Sequence, residues 1–291
     1  MIEKAVSFGP GGVLTGITTE PGVGLAVPDA PAVLFWNVGI NHHVGPYRVN
    51  VDLARSLAAV GITSLRFDIS GMGDSDVRPG AAALDLDRAM DDVRDAMALL
   101  EKRKGIRRFV LVGFCSSTDA AHALAIADPR VVGVCFLEGY AFRTRGFYRR
   151  YPLRFLDRAR WRRVFVKAQE RLHPPAASET AREEPKEDEE KAAAGESVYT
   201  RAYPRPEQLR ADYKALAARG VPMLFVFTGG DSDFNHARQF DEMLGAKMRG
   251  KAHGIELEYY PDADHTFART PHRERVVARV RAWMQAHFSA R

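Results

Sequence analysis

Cys115 stands at the end of an apolar run, Phe109-Val-Leu-Val, with Gly113 two residues before it and Ser117 two residues after. A nucleophile carried on a sharp strand-to-helix turn sits in a strained backbone conformation, so both of those flanking positions must be small. Neither adjacent serine fits as well. Centring the turn on Ser116 puts Phe114 and Thr118 at the flanks, and centring it on Ser117 puts Asp119 downstream. The helical stretch Ala120 to Ala127 follows, and a helix N-terminus lowers a thiol pKa and helps to hold an oxyanion. Taken alone, a cysteine here is more often a small core residue ending a strand.

A second motif changes that reading. Tyr259-Tyr260-Pro-Asp262-Ala-Asp264-His265-Thr-Phe267 is a strand followed by a loop that carries a histidine. His265 is the expected base for Cys115, taking its proton and returning it to the leaving group, as acyl transfer requires. A third group should orient the imidazole. Chain order points to the end of the apolar run Met223 to Phe227, where Asp231 is preferred, Asp233 keeps a Gly-x-x-Asp spacing from Gly230, and Glu138 is a substitute from the end of another run. An oxyanion hole needs two backbone N–H groups. Ser116 supplies one, and the loop Trp36-Asn-Val-Gly39-Ile40-Asn41-His42-His43 supplies the other from Gly39 or Ile40. Asn41 and His42 on that loop are candidates for substrate contact. Two adjacent loop histidines without further ligands at workable spacing make a poor metal site, and neither a metal nor a cofactor is expected.

These residues need a rigid frame, and the rest of the chain supplies its pattern. Compact apolar runs at Ala32 to Trp36, Ser64 to Phe67, Phe109 to Val112, Val131 to Leu137 and Met223 to Phe227 read as buried strands. Between them, Val49 to Val60 and Leu86 to Leu100 carry apolar residues at helical spacing, and the chain closes with a helix over His272 to Phe288. Strand and helix alternating at this rhythm imply an α/β fold with a mostly parallel sheet covered on both faces. The alternation breaks over 141–216, which reads as an insertion between core segments 1–140 and 217–291. Within it, residues 174–197 have almost no large apolar side chains and read as a mobile acidic loop.

Composition narrows the classes further. The chain has 291 residues, 46% hydrophobic and 27% charged, enough for one large domain or two small ones. Its only cysteines, Cys115 and Cys135, lie in apolar runs, which excludes a disulfide scaffold and CxxC metal spacing and favours a reducing compartment. Cys135, in mid-strand, reads as core. No apolar run reaches the ~20 residues of a membrane span, and Met1 to Lys4 is charged. A soluble cytoplasmic protein is therefore expected. The net charge of +5 is local in origin: residues 143–167 carry ten Arg or Lys against Asp157, leaving the remainder at about −4. No nucleic-acid partner is expected from that distribution. Arg143 and Arg145, at the start of the basic stretch, are candidates for an anionic substrate, with neutralisation by the acidic run Glu183 to Glu190 as the simpler account.

The ordered set Asn37-Val-Gly-Ile, Asp68-Ile-Ser-Gly71-Met-Gly73-Asp74-Ser75, Gly113-Phe-Cys115-Ser-Ser117 and Asp262-Ala-Asp-His265-Thr-Phe resembles the α/β-hydrolase superfamily across the chain outside the insertion. Val44-Gly-Pro-Tyr-Arg48 and Tyr140-Ala-Phe-Arg143 are similar to the bacterial hydrolases associated with exosortase and exopolysaccharide loci. The resemblance implies an eight-stranded, mostly parallel sheet with a cap after the sixth strand. It also implies ester or thioester hydrolysis or acyl transfer on an acyl substrate, free or carrier-bound. Cysteine stands where serine is usual, as in dienelactone hydrolase-like members, and Ser117 stands where the second glycine is usual. Two functions follow: a Cys-His-Asp enzyme favouring thioesters, or a non-hydrolytic relative binding an acylated or anionic partner through a basic cap.

Overall fold

A computed structural model describes residues 1–80, 86–151, 203–230, 233–245, 248, 250 and 254–288. The chain opens with two strands, β1 (Ile2–Phe8) and β2 (Leu14–Glu20), and then alternates. The sequence runs through β3 (Ala32–Phe35), α1 (Val49–Ala58), β4 (Ser64–Phe67), α2 (Leu86–Lys104), β5 (Phe109–Phe114), α3 (Thr118–Ala127) and β6 (Val131–Leu137). After it come α4 (Arg145–Arg150), α5 (Pro206–Ala218), β7 (Met223–Thr228), α6 (Ala237–Leu244), β8 (Ile255–Tyr260) and α7 (Thr270–Phe288). All eight strands join one sheet in the order β1-β2-β4-β3-β5-β6-β7-β8. β1 and β2 pair antiparallel, β2 meets β4 antiparallel, and every other pairing is parallel. The antiparallel hairpin at the edge had no counterpart among the apolar runs, because its outward residues alternate with polar ones.

Parallel strands buried on both faces need continuous apolar sequence, and β3, β5 and β7 are buried at every residue. The period-two alternation of side chains sorts the strand residues into two cores. Val134 and Phe136 of β6 join Leu209, Tyr213 and Phe240 on one face; Cys135 and Leu137 join Leu53, Val280 and Trp283 on the other. Cys135 is wholly buried, and burial pushes its thiol far above the usual range. Helix α5 falls inside the segment read as an insertion, yet Leu209, Tyr213 and Leu216, at i, i+4 and i+7, lie in the core. The Tyr213 ring packs 5.7 Å from Phe136 and 5.1 Å from Phe225. The acidic loop 174–197 and most of the basic stretch lie outside the described residues.

Six parallel strands, β3 to β8, end at the same edge of this sheet, and the loops after them hold the candidate chemistry. No described helix is long and apolar enough to cross a membrane.

Candidate active site

Cys115 follows β5 directly and adopts φ 51°, a left-handed conformation rare outside glycine. The turn is held by its neighbours. A Cβ on Gly113 would lie 2.8 Å from the Thr118 Cα and 2.9 Å from the Ala121 Cβ, so only glycine lets the strand and the following helix approach this closely. Ser117, at the other small flank, has ordinary helical dihedrals and so needs no glycine. Its hydroxyl accepts the Phe114 N–H at 2.6 Å and donates to the Phe114 carbonyl at 2.9 Å, clipping the turn to the strand end.

His265 reaches the same place from the loop after β8. That loop is shaped by Asp264, whose carboxylate accepts the Thr266 and Ala268 N–H groups and the Thr266 hydroxyl. Burial would raise the Asp264 pKa, but these bonds outweigh it and hold the group below the usual carboxylate range. Two glycines give the loop its seat. A Cβ on Gly229 would stand 2.2 Å from the Pro261 carbonyl oxygen, and one on Gly230 would stand 2.6 Å from the His265 amide nitrogen. Thr228-Gly-Gly therefore serves as a berth for the histidine loop at the end of β7.

The carboxylate that meets the His265 ring among the described residues is Glu138, which the sequence reading held only as a substitute. Nδ1 of His265 lies 3.0 Å from Glu138 Oε2, and the Glu138 side chain has no solvent exposure. Glu138 follows β6 at φ 51°, so left-handed residues flank the site on two neighbouring strands, with Phe267 (φ 54°) a third beside His265. The alternative Asp233 is engaged elsewhere: its carboxylate accepts the Arg143 Nε–H at 2.7 Å. The preferred Asp231 lies outside the described residues. With Nδ1 turned to Glu138, the far side of the ring is left for Cys115, to which His265 is hydrogen-bonded. Partial burial disfavours the charged ring, but the bonds and negative charge of Cys115 and Glu138 outweigh it and raise the pKa to about 10.

The loop after β3 arrives from the other side. Val38 and Asn41 exchange backbone hydrogen bonds around Gly39, which has φ 56°. Asn41 turns its amide back onto the Val38 carbonyl, at 3.1 Å, and His42 is exposed with its ring 5.7 Å from that of His43. Ile40 is 72% exposed. Gly39, expected to offer its N–H to an oxyanion, instead donates it to Ser116 Oγ at 2.7 Å. Arg143, bound to Asp233, stands beside Phe147, and Arg145 opens α4 on the surface.

Sequence reasoning passed over one network that fixes this loop. The Asp68 carboxylate, fully buried, accepts the His43 N–H at 2.6 Å, the Asn37 side-chain amide at 2.7 Å and the Asp74 N–H at 3.0 Å, and it faces His43 Nδ1 at 2.8 Å. Asn37 in turn accepts the Ile69 N–H at 2.6 Å. Burial alone would raise the Asp68 pKa, but the bonds from His43 and Asp74 keep it below its ordinary value. Gly73 (φ 54°) is obligatory here, since its Cβ would lie 2.3 Å from Asp68 Oδ2. Acceptor atoms of His43, Asp68 and Asp74 lie within 4.8 Å of one another, but the four donors already on Asp68 make the cluster an internal tie. The Asp-x-x-Gly-x-Gly-Asp-Ser signature is the sequence trace of this tie.

The sequence pattern of the alpha/beta hydrolase family matches residues 33–280. The fold is shared with an esterase from Pyrococcus furiosus (14% identity, 99% of this chain and 92% of that one, TM-score 0.61). It is also shared with a dienelactone hydrolase from Anabaena variabilis (16% identity, 99% and 98%, TM-score 0.59) and an esterase domain from Rhodothermus marinus (17%, 99% and 100%, TM-score 0.56). No curated protein resembles the sequence closely enough to count as a relative. With its strand order, its left-handed residue after β5 and its histidine after β8, the chain belongs to the alpha/beta hydrolase family.

Proposed function

We propose that the protein is a hydrolase or acyltransferase that acts on an ester or thioester through an acyl-Cys115 intermediate, with a thioester as the favoured substrate. One observation carries this reading. The turn that strains Cys115 lies against a histidine whose Nδ1 is 3.0 Å from a fully buried glutamate. The esterases among the similar folds support carbonyl chemistry, although a fold alone does not fix a reaction.

In the first half-reaction His265 takes the Cys115 proton, the thiolate so formed attacks the carbonyl carbon, and the π pair moves onto oxygen, where the Ser116 N–H meets it. The tetrahedral intermediate then collapses, the bond to the leaving group breaks, and the leaving thiolate or alkoxide takes the proton from His265. Acylation itself favours this transfer. Once its sulfur is esterified, Cys115 no longer holds the imidazolium by charge, and the ring keeps only Glu138. The neutral ring then takes a proton from water or an acceptor, which attacks the thioester and releases Cys115. Exchange between a thiolate and a thioester is nearly isoenergetic, which is why a thioester suits a cysteine best. Arg143, in a solvent-exposed ion pair with Asp233, and the exposed Arg145 are the candidates for contact with an anionic acceptor.

Intact-mass spectrometry with a panel of short acyl-thioesters tests the reading. An acyl adduct on the wild type that is absent from Cys115→Ala and slowed at least a hundredfold in His265→Ala is the expected result. Labelling by iodoacetamide that is slow and indifferent to His265, with no acyl adduct, overturns it in favour of a non-hydrolytic binding protein.

A further inference from the structure

Ser116 combines two positions that are usually separate. Its backbone follows the nucleophile, and its hydroxyl oxygen accepts the Gly39 N–H at 2.7 Å, across 77 residues of chain. The donor is rigidly presented. Val38 and Asn41 close the turn with bonds of 3.3 and 3.0 Å, and Asn37, itself tied to Asp68, donates to the Asn41 carbonyl at 3.2 Å. The serine hydroxyl is the rotatable partner. Its oxygen is bound and its proton has no acceptor among the described residues, while Ser116 remains partly open to solvent beside Cys115.

From this geometry we infer that the Ser116 side chain is itself a donor to the developing oxyanion. The Gly39 N–H reaches the reaction through it, by the relay Gly39 N–H to Ser116 Oγ and Ser116 Oγ–H to substrate oxygen. The inference rests on the acyl-Cys115 reading and deepens it. A direct contact from Gly39 would first require its present bond to break, whereas the relay keeps that bond and spends a proton otherwise without a partner. A hydroxyl that accepts a hydrogen bond is also polarised into a better donor. No proton changes owner in this step. The carbonyl π pair goes to oxygen, the Ser116 hydrogen bond stabilises that charge, and the bond weakens again when the carbonyl re-forms. Ser116 is in this sense a catalytic residue, touching the reacting oxygen from a side chain that the family pattern uses only for its backbone.

Two reagents separate this inference from the reading beneath it. Iodoacetamide alkylates a thiolate by displacement and generates no oxyanion, whereas an acyl-thioester must pass through one. In Ser116→Ala, alkylation at Cys115 should keep its wild-type rate and its dependence on His265. Acylation by the same thioester should slow about ten- to a hundredfold, mainly in the maximal rate and little in the half-saturating concentration. Ser116→Thr, which keeps a hydroxyl, should recover most of the loss. Acylation that is unchanged or faster in Ser116→Ala, with alkylation intact, overturns the relay and makes the hydroxyl an idle plug on Gly39. Loss of His265-dependent alkylation in the wild type overturns the nucleophile reading, and the relay falls with it.

Discussion

Two of the histidine–carboxylate pairs among the described residues have almost the same local geometry, His43–Asp68 at 2.8 Å and His265–Glu138 at 3.0 Å, each through Nδ1 and each to a carboxylate with no solvent exposure. Their surroundings differ. The His43 side chain is 8% exposed and that of His265 is 39% exposed. Asp68 also takes the His43, Asn37 and Asp74 donors, whereas the far side of His265 meets a cysteine on a left-handed turn. One pair is spent on holding a loop; the other turns the far side of its ring to Cys115. A histidine bound to a buried carboxylate is therefore no sign of catalysis until its second nitrogen is accounted for.

Exchanging one oxygen for an amide in each pair should divide the two roles most sharply. Glu138→Gln is expected to slow acylation at Cys115 by about 10²- to 10⁴-fold, because the imidazole loses both its fixed orientation and its counter-charge. Asp68→Asn should instead cost about 3–5 kcal/mol of stability, since an amide faces buried donors that it cannot accept. Chemical denaturation beside acylation kinetics checks both. Equal stability losses in the two variants, with equal residual activity, would erase the distinction.

The pH profile should follow the same division. The raised His265 pKa means that its proton, and the stability it confers, are fully present below the ordinary imidazole range near 6.5 and are lost as pH rises through about 10. Acylation with a poor leaving group should therefore fall along a limb near pH 10, and Glu138→Gln should move that limb to lower pH. The smallest expected effect comes from the berth. Gly230→Ala places a methyl group 2.6 Å from the His265 amide nitrogen, so the loop must shift, at about 1–3 kcal/mol and a modest loss of acylation rate.

The parallel core, and the two residues that the fold brings together at the end of β5, were legible because their signals are local. Small flanks around Cys115, an apolar run before it and a strand before His265 are properties of short segments. The pairing of Glu138 with the imidazole was not legible, for a geometric reason. β6 and β7 are parallel neighbours, roughly 4.8 Å apart, so an acid at the end of either stands near a histidine arriving from β8. The choice between Glu138 and the Asp231–Asp233 turn depends on where the loop after β8 comes down, which no spacing records. Gly229 and Gly230 were the available clue, but glycines beside an acid read equally well as an ordinary turn. The contact between Ser116 and Gly39 was hidden for the same reason. Helix α5 shows a different failure, since its own i, i+4, i+7 pattern was present but submerged in a segment whose overall composition is charged.

The wholly buried Cys135, set in the middle of β6 with a thiol that burial keeps protonated, gives the protein an internal clock. A thiol reagent meets Cys115 in the closed fold but meets Cys135 only when the centre of the sheet comes apart. The second modification event, timed against the first, therefore reads how often that centre opens, without denaturant and without an engineered label.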